Sequence, residues 1–264
     1  MENSKGKKSL ITLSLMVVWV AYALSYFYLK NDNATIIYSG YLALCGEAGL
    51  DIIAAILALW LWKKSIAQFK IVYLMFAVSF ICAFISDGLY NIILNVLRIS
   101  NLTGSLDSYF DIPFAAFLLF QMLAWGAVFF LNTEKDIKTK VIYMPYVIAS
   151  LFIFLIFVFG ITWKIEYFSV IGTYQVLDTV LEVVGFAFAS FCLARSKSLI
   201  IKYLAIGYLI IVASDLIIRY SFIQQSIVRS NPLEATWVLG LSLMIVGFFL
   251  YIRKIAITRF PYQK

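Results

Sequence analysis

Histidine is absent from the 264-residue chain, cysteine occurs three times, proline four times, and only 13% of the residues are charged. Each scarcity excludes something. Without histidine there is no imidazole-ligated zinc or haem, and no acid–base or nucleophilic mechanism that turns on imidazole. Cys45, Cys82 and Cys192 all fall inside apolar runs, so they read as small apolar packing residues rather than as disulfide partners or metal ligands. Neither a phosphate-binding P-loop, a Gly-x-Ser-x-Gly elbow nor a CxxC pair occurs.

What is present is hydrocarbon. Sixty-three per cent hydrophobic residues and a mean hydropathy of +0.94 stand well above an ordinary soluble domain, which is about half apolar and about a quarter charged. A bilayer crossing takes about 20 apolar residues. The sequence predicts an all-α integral membrane protein with eight spans, near Leu10–Leu29, Ile36–Trp62, Ile71–Leu94, Phe110–Leu131, Val141–Trp163, Tyr167–Leu193, Leu199–Ile223 and Ala235–Ile252. The first run follows the basic "MENSKGKK". It reads as a span rather than a signal peptide, being long and without a small-x-small cleavage site.

The net charge of +7 follows topology. Basic residues gather in alternate connections, at Lys63, Lys64 and Lys70, at Lys135, Lys138 and Lys140, at Arg195, Lys197 and Lys202, and at Arg253 and Lys254. Only Lys30, Arg98, Lys164, Arg219 and Arg229 fall on the other side. Positive charge marks the cytoplasmic face, so both termini are expected there, with a bacterial cytoplasmic membrane as the setting. No basic patch interleaved with aromatics suggests nucleic acid.

Landmarks recur in order. "GEAGLDII" places Glu47 four residues before Asp51, and "LDTVLEVV" places Asp178 four residues before Glu182. Basic turns "WKKS" and "RSKS" follow, then "KIVYL" and "IKYL", then the Ser-Asp pairs of "ISDGLY" and "ASDLII". A polar outer loop with Pro113 or Pro232 leads into the last span of each half. This order predicts a 4+4 duplication, residues 1–137 and 138–264, in one membrane domain. An even number of spans per unit makes the halves parallel repeats about an axis normal to the membrane.

A spacing of four places each acid pair on one helix face. Charged acids at mid-span cost roughly 2.5–3.5 kcal/mol each. Glu47, Asp51, Asp87, Asp178, Glu182 and Asp215 are therefore expected to line a central cavity on the second, third, sixth and seventh spans, with Asn91 one turn beyond Asp87. Together they would bind a small ligand or cation; which metal, if any, is left open. Asp215 and Arg219, one turn apart, form the expected structural ion pair, so that Asp87, with neutral Asn91 in the matching place, would be the exchanging acid. The structural alternative is that any one acid is protonated and ties two helices together as a hydrogen-bond donor, with Ser86, Ser214, Thr179 and the tyrosines as partners.

The segments "SDGLYNIILNVLRISNLTGSLDSYFDIPFAAFLLFQMLAW" and "SDLIIRYSFIQQSIVRSNPLEATWVLGLSLMIVG" resemble the multi-span sensory regions that precede GGDEF, PAS or histidine-kinase modules in bacterial signalling proteins. The matching residues are Asp87, Tyr90, Gly104, Ser105 and Asp107, then Asp215, Tyr220, Asn231, Glu234 and Trp237. No output module follows here, so the resemblance implies a sensor acting through a cytoplasmic or membrane partner. Three functions are thus in view: a receptor for a small ligand or cation, a proton- or cation-coupled secondary transporter, and, least favoured, an intramembrane enzyme acting on lipid. No cofactor is expected.

Overall fold

The computed structural model of the chain describes residues 44–91, 107–132, 170–223 and 234–259, together with residues 17, 19–22, 24 and 25. A π-helical turn, Leu44–Ala48, leads into α1 (Gly49–Lys64), followed by α2 (Ala67–Asn91), α3 (Asp107–Asn132), α4 (Val170–Arg195), α5 (Leu199–Ile223) and α6 (Glu234–Arg259). No strand occurs among the described residues. Six segments are long and apolar enough to cross a membrane, Cys45–Lys64, Ala67–Leu89, Ile112–Leu131, Leu177–Arg195, Leu199–Ile217 and Ala235–Ile255. They correspond to six of the eight expected spans. Of the other two, the first is helical at its described residues and the fifth, Val141–Trp163, lies outside the described residues.

The local reasons are simple. In hydrocarbon every backbone N–H and C=O must be satisfied within the segment, which leaves the helix as the solution for a single span. Polar connections end the helices. Ser65 turns extended after α1 and its N–H closes on the Leu61 carbonyl at 2.8 Å. At the second turn the N–H of Ser196 closes on the Cys192 carbonyl at 2.9 Å. Lys63 and Lys64 occupy the last turn of α1, where cations oppose the negative end of the helix dipole. Pro113 departs from expectation, because it sits inside α3 instead of in a loop. Its place in the second turn from the start limits the loss to one hydrogen bond near the helix end.

Each helix packs on the next described helix, and α6 returns to α1, so the six close into a ring. The ring interior is aromatic. Phe76 of α2 meets Trp125 of α3 and Phe248 of α6, both at 5.7 Å between centroids, and Trp125 meets Tyr208 of α5 at 5.7 Å. Near the other end Phe117 of α3 meets Trp237 of α6 at 6.0 Å. Since lipid is as apolar as these side chains, close packing rather than water exclusion holds the ring together. Gly207 of α5 and Gly240 of α6 illustrate this: a methyl on either would lie within 2.5 or 2.6 Å of the other's carbonyl oxygen.

Lys63, Lys64, Lys70, Arg195, Lys197, Lys202, Arg253 and Lys254 are all exposed. They lie at one end of the ring, where α1, α4 and α6 finish and α2 and α5 start. The first helix joins the opposite half. Trp19 donates its indole N–H to the Ala235 carbonyl at 2.6 Å, and the Tyr22 ring covers Gly46 of the π turn. The cysteines divide: Cys192 is buried in the core, whereas Cys45 is exposed and does not pack inside as expected.

Candidate functional site

Four helices deliver carboxyls to the ring interior. Asp51 starts α1 and is fully buried with Ala54, Ala55, Ala58 and Leu61, the i, i+3, i+4, i+7 face that turns inward. Both of its oxygens are buried without a hydrogen-bond donor against them. The group that meets them is the carboxyl of Asp87 on α2. Two carboxylates are both acceptors, so contact between them becomes a hydrogen bond only when one carries a proton.

The contact extends in both directions. Glu47, half-buried in the π turn, acts electrostatically on Asp51 from one side. On the other side Asp87 lies within electrostatic reach of Asp215 on α5. Tyr208, two turns before Asp215, lies in reach of both Asp215 and Glu182 of α4. Glu182 is fully buried and Asp178, one turn away, is buried as well. Electrostatic reach thus links Glu47, Asp51, Asp87 and Asp215 in turn, and Tyr208 stands in reach of both Asp215 and Glu182. Between Ile71 and Leu199 the described helices contain no lysine or arginine apart from Arg195 in the basic turn.

Other expected members are placed differently. Asn91 ends α2 and Arg219 lies in α5, but their side chains fall outside the described residues, so the Asp215–Arg219 pair does too. Ser214 is engaged elsewhere: its hydroxyl donates to the Ile210 carbonyl at 2.7 Å and meets the hydroxyl of Thr236 on α6. A serine in a helix commonly bonds back to the carbonyl four residues earlier. Among the described residues no three Cys, Asp or Glu side chains are arranged to hold a metal ion.

Further polar groups come from residues that charge alone does not reveal. Gln121 of α3 is fully buried with neither amide atom hydrogen-bonded, and the Tyr208 hydroxyl and the Trp125 and Trp237 indole N–H groups are likewise buried without partners. The signal for Gln121 is visible in "LLFQMLAW", a lone amide in an apolar run. No protein-family model, curated protein or solved structure matches the chain.

Proposed function

We propose that the chain is a membrane sensor in which the Asp51–Asp87 pair holds a proton that a small cationic ligand displaces, the change in helix contact being read by a cytoplasmic or membrane partner. The observation that carries this reading is the meeting of the fully buried carboxyl of Asp51 with the half-buried carboxyl of Asp87 on a different helix, with no donor against Asp51. A proton between them ties α1 to α2. Its loss leaves two like charges in a medium where they repel strongly unless a cation replaces it. Occupancy therefore biases the packing of two helices, which is what a switch requires. The resemblance of the Ser-Asp segments to bacterial sensory regions points the same way, and the exposed basic end agrees with that end being cytoplasmic.

The 4+4 duplication belongs to this reading. Its support is the order of packing, α1–α2–α3 and α4–α5–α6 with α3 against α4 and α6 against α1, and the matching places of Asp51 with Glu182, Asp87 with Asp215, Ser86 with Ser214 and Phe80 with Tyr208. All these except Asp87 and Asp215 are buried, and those two are half-buried.

A second reading, a proton- or cation-coupled transporter, is favoured by the cross-ring reach of Asp87 to Asp215, which links acids of both halves as a rocking pair of repeats would need. Proteoliposomes carrying a pH-sensitive dye and given sodium or potassium gradients separate the two. The sensor leaves proton flux at the protein-free level. Flux above that level, lost in Asp87→Asn, replaces the sensor by the transporter.

A further inference from the structure

At the basic end, on the far side of the aromatic layer from the acids, the helices enclose a cavity of about 230 Å³. Its walls come from α2, α3, α5 and α6. Phe76, Trp125 and Leu204 are fully or almost fully buried at its deep side, and the exposed Lys254 stands at its edge. Phe69 and Phe76, seven residues apart on α2, both line it, which makes it about 10 Å long at 1.5 Å per residue. This is smaller than the roughly 300–1,000 Å³ of sites for drug-sized ligands. A single narrow apolar chain suits it better than a broad molecule.

Among the described residues the lining carries one charge, the Lys254 ammonium; Ser198 adds a hydroxyl and Trp125 a buried indole N–H without an acceptor, and no described aspartate or glutamate lines the cavity. Tyr73 and Tyr251 stack at 5.5 Å, and both rings stand in the wall of the cavity. Lys70, Lys202 and Arg253 add positive potential at the same end. An apolar slot with a cationic rim matches an amphiphile with one chain and an anionic head, since the head keeps its charge paired at the membrane interface while the chain enters the protein.

We infer that this cavity is a binding site for a single-chain carboxylate amphiphile of the membrane, a fatty-acid anion, with its head at Lys254 and its chain end against Trp125. The site is separate from the acid chain and stands or falls independently of the sensor reading. Ligand class follows from the lining alone.

The test uses the full chain in lipid nanodiscs with undecanoate carrying bromine on its terminal carbon, a heavy atom that quenches indole fluorescence on contact. Quenching that saturates, and that disappears in Trp125→Phe, is expected. Ile201→Phe, which fills the cavity while keeping Trp125, should remove the saturable component too, with a thermal melt confirming that the variant is folded. Lys254→Gln should raise the half-saturating concentration about tenfold, about 1.4 kcal/mol. The corresponding bromine-tagged alcohol should bind about tenfold more weakly than the acid. Quenching that rises without saturating and is equal in parent and both cavity variants would mean partition into lipid only, and overturns the site. Equal affinity for acid and alcohol overturns the anionic ligand class.

Discussion

The hydroxyl of Tyr208 fills the volume that a methyl group would occupy on Gly185. Phe80, seven residues before Asp87 as Tyr208 is before Asp215, and Ala54, three after Asp51 as Gly185 is after Glu182, are both fully buried. Gly185→Ala should destabilise the protein by about 1–3 kcal/mol through overpacking. Adding Tyr208→Phe should recover most of that loss. A double-mutant cycle on thermal or denaturant stability measures the coupling, and additive losses would mean that the two residues do not share this space.

The α5–α6 contact sets up a graded glycine series. Gly207→Ala and Gly240→Ala each bring a methyl against a backbone carbonyl that cannot turn aside. Losses of about 2–3 kcal/mol are expected at either site, at the upper end of the overpacking range. At Gly247 the obstacle is the Leu204 side chain together with the Ile200 carbonyl, so the penalty should be smaller. Gly49→Ala meets nothing within 4 Å, and in a helix it should stabilise by about 0.5–1 kcal/mol. Melting curves of the four variants should fall in that order.

Gln121 holds an unsatisfied amide in the core. Replacing it with the similarly shaped methionine removes two buried polar atoms that bond to nothing in the chain. Gln121→Met should raise stability by about 1–2 kcal/mol, the lower range for desolvating such a group. A loss of stability instead would show that the amide is hydrogen-bonded in the working protein.

Much of this was legible in the sequence for a physical reason. Hydropathy locates spans because the bilayer demands continuous apolar helices. Charge asymmetry marked the basic end, and the i, i+4 spacing marked Glu47 with Asp51 and Asp178 with Glu182 as inward acids. The faces of the remaining residues were not legible. A helix that is apolar all round carries no amphipathic stripe, so nothing distinguished the exposed Cys45 from the buried Cys192. Ser214 could not be assigned either, because its choice of the Ile210 carbonyl and Thr236 over an acid depends on where α6 lies.

Asp87 and Asp215 should respond differently to amidation. Asp87→Asn supplies an N–H donor to Asp51, so the folded yield should hold while any cation response is lost. Asp215→Asn should lower folded yield more than response, since Arg219 one turn on would lose its expected counter-charge. Expression and binding measured side by side check both, and reversed patterns would exchange the roles of the two aspartates.

The account rests on a proton held between Asp51 and Asp87. Infrared spectroscopy of the purified protein at neutral pH reads it directly, as the carbonyl stretch of a neutral carboxyl, distinct from the carboxylate bands. The account predicts such a band in the parent protein, its loss in Asp87→Asn and its persistence in Asp215→Asn. A parent spectrum without that band, or one whose band survives Asp87→Asn unchanged, would contradict it.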